Sequence, residues 1–455
     1  MVEANRCLYC YDAPCAEACP THIEIPRFIK QIASKNTRGA ARTIFQANAL
    51  GRSCSHVCPV EALCEGSCVY QAWQKKPIEI ARLQRYATDR QISGNRPLFA
   101  PGQTLGKEIA VVGAGPAGLS CASYLRRLGY GVTIFEKRPL PGGLDTYGIA
   151  EYKLTQGAAL EEIGMILELG IRLKSSIEIG RNISWEALEK NYDAVFIGVG
   201  LGKTQALGIS GENLAGVWDA LSFIERIKTR RFRNIEPSLS TVVIGAGNTA
   251  IDAVTQAKRL GATKVIMAYR RGPDAMSAYK HEYALAKHDG VEFLWNAAPV
   301  RILGRNKVEG IEFVRTESKS LGRGAPLKSI SGSKFILPCD RIIKALGQIK
   351  QRSALEKIHG LKLDPSGCVA INPKTLQSSN PKYFAGGDAV NGGKEVVNAV
   401  EDGKRAAWAI HRYLGAGSQP DPEHRYWVST IEGRRVAPPP ERIHSYAQRK
   451  ELAAV

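Results

Sequence analysis

Eight of the eleven cysteines lie within the first 68 residues, in two runs whose spacing suits metal binding. The first run, CLYCYDAPCAEACP, supplies Cys7, Cys10, Cys15 and Cys19, and the second supplies Cys54, Cys58, Cys64 and Cys68. Short spacings let thiolates converge on one iron–sulfur cluster, and a cysteine directly before proline ends such runs in two-cluster ferredoxins. Zinc is the alternative, although its sites usually pair C-x2-C units. The scattered remainder is interpreted as small buried residues: Cys121, Cys339 and Cys368.

A second set of residues is typical of dinucleotide binding. In EIAVVGAGPAGLSCASYLRRLGYGVTIFEK, an apolar strand leads into Gly113, Gly115 and Gly118, a helix follows to about Leu128, and a second strand ends at Glu136. The glycines let backbone N–H groups approach a pyrophosphate at the positive end of the helix. An acidic residue at the end of the second strand accepts a hydrogen bond from a ribose hydroxyl.

The unit recurs in STVVIGAGNTAIDAVTQAKRLGATKVIMAYRRG, where Gly245 and Gly247 hold the first two glycine positions and Ala250 the third. No acidic residue ends its second strand; Arg270 and Arg271 follow instead. Paired arginines favour the 2′-phosphate of NADPH, and the alternative is two solvated arginines on a loop.

A third segment, KYFAGGDAVNGGKEVVNAVEDGKRAAWAIHRYL, leads from an apolar strand into Gly386, Gly387 and Asp388, with a helix expected after Gly392 and Gly393. Aspartate at such a turn usually caps a helix. Two dinucleotide turns followed by a late GGD segment are nevertheless the layout of flavin disulfide reductase-like proteins.

The composition predicts the elements that must position these residues. A chain of 455 residues with 44% apolar residues and 45 glycines indicates an α/β protein of two or three domains. Apolar residues at spacings of three and four in IPRFIKQIASKNTRGAARTIFQANAL predict a helical N-terminal domain. No apolar run reaches the roughly 18 residues of a membrane span. The start, MVEANRC, lacks signal-peptide character, so we expect a reducing cytoplasm.

The net charge of +19 raises the question of nucleic-acid binding. Residues 226–271 carry ten Lys and Arg against two Asp and Glu, and they enclose the second glycine turn. An anionic nucleotide is therefore the expected partner, and no nucleic-acid binding is predicted.

The chain resembles the N-terminal electron-input half of dihydropyrimidine dehydrogenase, above all the separate NAD(P)H-oxidising subunit of the bacterial enzyme. It is more distantly similar to the small subunit of glutamate synthase. The resemblance rests on CLYCYDAPCAEACP, ALGRSCSHVCP, PIEIARLQRYATD, GAGPAGLSCASYL, FEKRPLPGGL and FAGGDAV, and it extends from Cys7 to about Leu414.

The resemblance implies ligands for two [4Fe–4S] clusters. The first would be bound by Cys7, Cys10, Cys15 and Cys68. The second would be bound by Cys19, Cys58 and Cys64, with the side-chain oxygen of Gln84 as the fourth ligand, which leaves Cys54 without a ligand role. Whether Cys54 or Gln84 completes the second cluster remains open from the residues alone.

The resemblance also implies two nucleotide sites. The FAD site would comprise Val57, Gly113, Ala114, Gly115, Pro116, Ala117, Gly118, Glu136, Lys137, Gly143, Leu144, Lys153, Ile179, Gly387 and Asp388. The NADPH site would comprise Gly245, Ala246, Gly247, Asn248, Thr249, Arg270, Arg271, Ala345, Leu346 and Gly347. Asn248 replaces a common aspartate, Lys153 stands where an arginine is usual, and Ser277 replaces a third phosphate-binding arginine. NADH therefore remains an alternative donor.

The expected fold is a helical N-terminal iron–sulfur domain followed by two Rossmann-like dinucleotide-binding domains, the second inserted in the first. The expected bounds are 1–105 for the iron–sulfur domain, 106–205 and 348–415 for the FAD domain, and 206–347 for the NAD(P)H domain. Residues 416–455, rich in proline and polar groups, are expected to form a tail that docks on a partner.

The resemblance implies an oxidoreductase that takes a hydride from NAD(P)H to FAD and passes single electrons through the clusters to an FMN and iron–sulfur partner subunit, for uracil or thymine reduction. No catalytic side chain is expected, since hydride transfer requires no acid, base or nucleophile. Two alternatives remain: the same module serving a glutamate synthase large subunit or another iron–sulfur oxidoreductase, and a nucleotide-sensing scaffold without enzymatic activity.

Overall fold

The computed structural model of the chain describes residues 1–94, 96–229, 235, 238–318 and 325–415. It also gives the backbone of two short paired strands, Thr430–Ile431 and Arg434–Arg435. Apart from these four residues, the segment 416–455 lies outside the described residues, so its expected docking role stays a prediction. Among the described residues, no helix has both the length and the apolar character needed to cross a membrane.

Within residues 1–94 the chain forms helices around a small apolar core. These helices are α1 (Val2–Asn5), α2 (Pro14–Glu17), α3 (Ile25–Ala33), α4 (Thr37–Ala47), α5 (Gly51–Val57), α6 (Val69–Ala72) and α7 (Ile80–Ser93). In α3, Ile25, Phe28 and Ile29 recur at helical spacing and are all buried, which gives this helix its inward face. The side chain of Asn36 caps α4 by accepting from the Gly39 N–H at 2.9 Å.

Strands and helices alternate over the rest of the described chain. The strands are β1 (Glu108–Val112), β2 (Gly131–Glu136), β3 (Arg172–Ser175), β4 (Ala194–Ile197), β5 (Val217–Asp219), β6 (Ser240–Ile244), β7 (Lys264–Ala268), β8 (Glu292–Leu294), β9 (Ala297–Leu303), β10 (Gly310–Ser318), β11 (Leu327–Ser329), β12 (Phe335–Pro338), β13 (Arg341–Lys344) and β14 (Tyr383–Ala385). The helices are α8 (Pro116–Arg127), α9 (Leu144–Tyr147), α10 (Gln156–Leu167), α11 (Trp185–Asn191), α12 (Ala220–Lys228), α13 (Asn248–Arg259), α14 (Lys280–His288), α15 (Arg352–Leu355), α16 (Asp388–Asn391) and α17 (Val396–Tyr413).

Two parallel sheets organise these elements. The first has the strand order β14-β4-β1-β2-β3, and the second has the order β5-β13-β6-β7-β8. Since β14 follows the whole second sheet in the chain yet pairs with β4, the second domain is inserted in the first. The predicted α/β fold, with a helical N-terminal domain and one Rossmann-like domain inserted in the other, is confirmed.

The two chain segments that connect these domains pair with each other. Gly202 N–H donates to the Ile349 carbonyl at 2.8 Å, and Ile349 N–H donates back to the Lys203 carbonyl at 2.9 Å. Gln205 N–H donates to the Gly347 carbonyl at 2.9 Å. Residues 202–205 and 347–349 therefore form a two-stranded antiparallel connection, the linker ribbon. The domain boundaries at 205 and 347 stay a prediction.

An antiparallel sheet that the sequence did not predict covers one side of the second domain. In it β10 pairs with β9, β11 and β12. Ile311 and Phe313 of β10 are fully buried, packed beside Ile342 of the parallel sheet. This added layer covers one face of the inserted domain.

Candidate functional site

The first cavity of the N-terminal domain is lined by cysteines from both sequence runs, namely Cys7, Cys10, Cys15 and Cys68. Burial raises the pKa of Cys7, and it raises the pKa of Cys15 to about 12. Buried thiols become thiolates readily only when a metal compensates the charge, so this ring of thiols suits a metal cluster. These four are the residues expected to bind the first [4Fe–4S] cluster, and that ligand role stays a prediction.

A second cavity lies beside the first domain's last helix. Its lining includes Cys19, Cys54, Cys58 and Cys64, together with Gln84. A hydrogen bond with Cys54 and burial raise the pKa of Cys58 well above its ordinary value. The second expected ligand set is therefore brought together, and so is Cys54, which leaves both alternatives for the fourth ligand in place.

The orientation of Gln84 bears on that choice. Gln84 lies in α7 and is 7% exposed. Its Nε2 donates to the Gly51 carbonyl at 2.6 Å. Since a side-chain amide has one nitrogen and one oxygen, this bond leaves the oxygen available, and its role as a cluster ligand stays a prediction.

The cysteines surround these cavities without meeting at a point. Among the described residues, no three His, Cys, Asp or Glu side chains converge to hold a single metal ion. A four-iron cluster binds its ligands at separate corners, so it requires a ring of thiols around a cavity. The donor sets present fit iron–sulfur clusters.

The first glycine turn brings backbone N–H groups to the start of α8. Gly113 has φ of +103°, and a Cβ there would overlap the Gly198 carbonyl. A Cβ on Gly118 would overlap the Gly113 carbonyl, so helix and turn approach as closely as they do only because both residues are glycine. No side chain caps the N-terminus of α8 at Gly115, which leaves its N–H groups available to a pyrophosphate. Pro116 and Ala117 begin the helix.

Glu136 lies beside this turn at the end of β2. It is buried, and its Oε2 accepts from the Ala114 N–H at 2.8 Å. Its Oε1 accepts from the Arg138 N–H at 2.8 Å. These bonds hold the carboxylate beside the first glycine turn, and its ribose role stays a prediction. Lys137 is exposed.

Two other predicted FAD segments meet the same turn. A Cβ on Gly143 would lie 2.9 Å from the Cα of Gly115, and Leu144, which follows it, is 37% exposed. A Cβ on Gly387 would lie 3.0 Å from the Cβ of Ala117. The late GGD segment thus reaches the first turn.

Asp388 begins the short helix α16, which the sequence did not predict, and α17 begins later than Gly393, at Val396. The Asp388 Oδ1 accepts from the Lys394 N–H at 3.2 Å. Burial raises the pKa of this carboxyl. Its neighbour Gly387 donates its N–H to Asp402 Oδ2 at 2.8 Å, which holds the turn against α17.

Three predicted FAD contacts lie in separate surroundings. Val57 is the last residue of α5, directly before Cys58. Lys153 forms ion pairs with Asp252 at 2.7 Å and Glu282 at 2.6 Å, across the boundary to the inserted domain. Ile179 packs in the apolar core beneath the first sheet. These roles remain predictions.

The second glycine turn closes against the end of β13. A Cβ on Gly245 would overlap the Ala345 carbonyl, so the predicted NAD(P)H segments 245–249 and 345–347 lie side by side. Gly247 precedes α13, and no side chain caps that helix. The Asn248 Oδ1 accepts from the Tyr279 N–H at 3.1 Å. Thr249 lies in the first turn of α13, where its N–H belongs to the helix terminus.

The two arginines after β7 differ. Arg270 is exposed, whereas Arg271 is 8% exposed and donates to the Ala325 carbonyl at 2.8 Å. Ser277, at the position of the missing third arginine, donates to the Ala246 carbonyl at 3.3 Å. Only Arg270 of this pair has a guanidinium that faces solvent.

Sequence reasoning missed the contacts between domains. Tyr279 donates its hydroxyl to Glu395 at 2.6 Å, and Glu395 precedes α17. His281 lies 3.4 Å from Glu61 of the N-terminal domain. Glu162 and Lys228 are fully buried and also bond across domain boundaries. No local spacing identifies such residues, because their partners lie far away in the chain.

Comparison with known families divides the chain as the fold does. Residues 1–96 match the family described as dihydropyrimidine dehydrogenase domain II, 4Fe-4S cluster. Residues 107–403 match the family described as pyridine nucleotide-disulphide oxidoreductase.

Relatives match both parts together. AegA, an oxidoreductase of Escherichia coli, is 36% identical over 436 residues; the match covers 91% of this chain and 66% of AegA. The small chain of E. coli glutamate synthase [NADPH] is 35% identical over 431 residues, covering 90% of this chain and 91% of the relative. PreT, a subunit of the NAD-dependent dihydropyrimidine dehydrogenase of Salmonella typhimurium, is 36% identical over 412 residues, covering 90% and 94%. The chain is therefore about equally similar in sequence to the glutamate synthase small chain and to PreT.

Solved structures match the two nucleotide-binding domains. FprA from Mycobacterium tuberculosis superposes with a TM-score of 0.57 at 22% identity, over 68% of this chain and 85% of FprA. Thioredoxin reductase from T. acidophilum gives a TM-score of 0.54 at 21% identity, over 68% and 99%. At these identities the likeness supports the fold.

Proposed function

The chain belongs to the pyridine nucleotide-disulphide oxidoreductase family, and its N-terminal domain is an iron–sulfur domain of the dihydropyrimidine dehydrogenase type. From this family membership we propose that the chain is the electron-input subunit of a larger enzyme. It is an NAD(P)H-dependent oxidoreductase with iron–sulfur, flavin and nicotinamide cofactors. In the proposal, FAD and two [4Fe–4S] clusters are resident, NADPH or NADH is the donor, and the partner is an FMN and iron–sulfur subunit that reduces uracil or thymine.

One observation carries this proposal. The cavity lined by Cys19, Cys58 and Cys64 is also lined by Val397, from the first turn of α17. That helix follows the GGD segment, which touches the first glycine turn at Ala117. The second cysteine cavity and the proposed FAD site therefore share a wall, so electrons would have a short path between them.

In this proposal the side chains bind and orient. The free N–H groups of α8 would hold the FAD pyrophosphate and Glu136 its ribose, while the start of α13 would hold the NAD(P)H pyrophosphate. Bound together, these cofactors supply hydride transfer and its conversion into single-electron steps. Gln84, a neutral ligand among thiolates, would make the net charge of its cluster less negative and so change its reduction potential.

The proposal is tested with the purified chain. NAD(P)H should bleach the flavin absorbance and drive reduction of ferricyanide or a viologen dye, and uracil should not be reduced without a partner subunit. Lack of bleaching in protein that contains FAD would contradict electron input. Uracil-dependent NAD(P)H oxidation by the chain alone would contradict the subunit role.

A second acceptor has specific support. The glutamate synthase small chain is as similar to this chain as PreT is, so a glutamate synthase large subunit is the alternative partner. Purification from native cells in a reducing cytoplasmic extract, with the bound chain identified by mass spectrometry, separates the two.

A further inference from the structure

Helix α5 joins the two proposed electron sites within one turn of backbone. Its last residue, Val57, is a proposed FAD contact, and the next residue, Cys58, lines the second cysteine cavity. The other proposed FAD contacts, at the first glycine turn and Glu136, belong to the FAD domain. A movement of α5 relative to that domain would therefore change the separation between the flavin and the cluster in that cavity.

The N-terminus of α5 is held by a residue of the FAD domain. The residue before the helix, Leu50, provides no side-chain cap. Glu162 of α10 takes that role: its Oε1 accepts from the Arg52 N–H at 2.6 Å, and its Oε2 accepts from the Ser53 N–H at 2.9 Å. The Ser53 hydroxyl adds a third bond, to Oε2 at 2.6 Å.

This carboxylate is entirely buried, at 0% exposure. A buried carboxylate is costly unless it is hydrogen-bonded, and a helix N-terminus supplies both donors and a favourable dipole. Three short bonds to one helix turn therefore make Glu162 a rigid connection between α10 and α5. A second contact, of the His56 Nδ1 with the Lys153 carbonyl at 2.9 Å, holds the other end of α5 to the same domain.

We propose that Glu162 is a positioning residue, which fixes α5 against the FAD domain and thereby sets the separation between the flavin and the cluster bound at Cys58. The inference rests on the proposed function. It assigns to Glu162 no contact with substrate or cofactor, because its bonds go to α5.

The test compares Glu162→Gln with the wild-type protein, both loaded with FAD and iron. Glutamine keeps the size of the side chain but offers one acceptor atom in place of two. Hydrogen exchange at the Arg52 and Ser53 amides should become roughly five- to thirty-fold faster, as expected when a helix cap is lost. In stopped-flow mixing with NAD(P)H, flavin reduction should keep its wild-type rate, and the cluster reduction that follows should become several-fold slower.

Glu168→Gln is the matched control, since Glu168 is an exposed carboxylate that ends the same helix. It should leave both measurements unchanged. Glu162→Ala should give a larger effect than Glu162→Gln; if it does not fold, the glutamine variant decides. Unchanged cluster reduction in Glu162→Gln would overturn the inference, whether or not the amide exchange becomes faster. Wild-type protein whose flavin NAD(P)H does not bleach would instead contradict the proposed function.

Discussion

Arg270 and Arg271 are adjacent in the sequence, yet the structure gives them different tasks. Arg271 is buried and bonds to the Ala325 carbonyl, whereas Arg270 faces solvent at the end of the second dinucleotide unit. We therefore expect Arg270, and not Arg271, to contact the 2′-phosphate if NADPH is the donor.

Replacing Arg270 with Ala should raise the KM for NADPH about ten- to a hundredfold and leave the KM for NADH nearly unchanged, since one charge-assisted phosphate contact contributes about 1.5–3 kcal/mol. Steady-state dye reduction with each donor measures both. Arg271→Ala should instead lower thermal stability. An equal rise for NADH and NADPH in Arg270→Ala would contradict the assignment.

Cys54 and Gln84 line the same cavity, and their variants separate the two possible fourth ligands. Cys54→Ala should keep about eight irons per chain, because the family resemblance gives Cys54 no ligand role, and Cys58→Ala should keep about four. Iron and sulfide analysis under anaerobic conditions gives the count. Loss of a cluster in Cys54→Ala, with both retained in Gln84→Ala, would reverse the assignment.

Asp145 should make stability depend on pH. It is 1% exposed, its Oδ1 has no hydrogen-bond partner among the described residues, and burial, with nearby Glu162, raises its pKa to about 7. The native state therefore favours the protonated form. The stability that this proton contributes is complete below about pH 4 and is lost as the pH rises through about 7.

Asp145→Asn should accordingly raise the free energy of unfolding by on the order of 2 kcal/mol at about pH 8 and have little effect near pH 4. Buried Lys228, whose pKa burial lowers to about 8, loses a neighbouring carboxylate and will offset part of the gain. Urea unfolding at both pH values provides the measurement. The same difference at both would show that Asp145 does not titrate between them.

What the sequence could reveal at this scale depended on local spacing. Glycines, the acid at the end of β2 and the cysteine runs are local patterns, so they were found. That Cys68 joins Cys7, Cys10 and Cys15 came from family resemblance, since spacing alone leaves the grouping open. Glu162 and Asp145 were missed because the residues around each of them lie far away in the chain. A local sequence pattern therefore does not show that either side chain is buried.

At the scale of elements, the crossing of α8 and α17 is close enough that it tolerates no added side chain at Gly403. The Ser120 hydroxyl donates to the Val400 carbonyl at 2.6 Å, and a Cβ on Gly403 would overlap the Ala117 carbonyl. The GGD turn depends on this crossing, because Asp402 of α17 holds Gly387.

Gly403→Ala should therefore destabilise the protein by about 1–3 kcal/mol, through overpacking of backbone against backbone, and weaken FAD retention. Gly164→Ala is the paired control. It lies within α10, where a Cβ would meet nothing within 4 Å, and should stabilise the protein by about 0.5–1 kcal/mol. Thermal unfolding of both variants measures these changes in stability. A Gly403→Ala protein as stable as the wild type would show that α8 and α17 do not pack closely at Gly403.

Helices and strands with a clear sequence pattern were predicted well, and those without one were not. The strand β2 ends at Glu136 as expected, and α8 ends at Arg127, one residue from the prediction. The antiparallel sheet was missed because the alternation of apolar and polar residues in β10 is short, at Ile311, Glu312 and Phe313, and does not show which strands pair. Helix α16 was missed because four residues are too short for a helical period.

At the scale of the whole molecule, the prediction concerns the acceptor. Mixing the chain with an FMN and iron–sulfur dihydropyrimidine dehydrogenase subunit should produce uracil-dependent NAD(P)H oxidation, because the proposed path ends at a cluster and not at a pyrimidine site. Mixing it with a glutamate synthase large subunit should not produce glutamate from 2-oxoglutarate and glutamine. Activity only in the second mixture would keep electron input and replace the partner.

The linker ribbon has a mechanical consequence. A domain inserted through two strands that bond to each other cannot swing freely as it could on a single strand, since stretching or separating the strands breaks the hydrogen bonds of residues 202–205 and 347–349. Two-stranded ribbons do, however, accommodate a wide range of twist. The ribbon therefore resists bending and stretching of this connection more than it resists twisting, and the ion pairs of Lys153 with Asp252 and Glu282 are a separate contact across the same domain boundary.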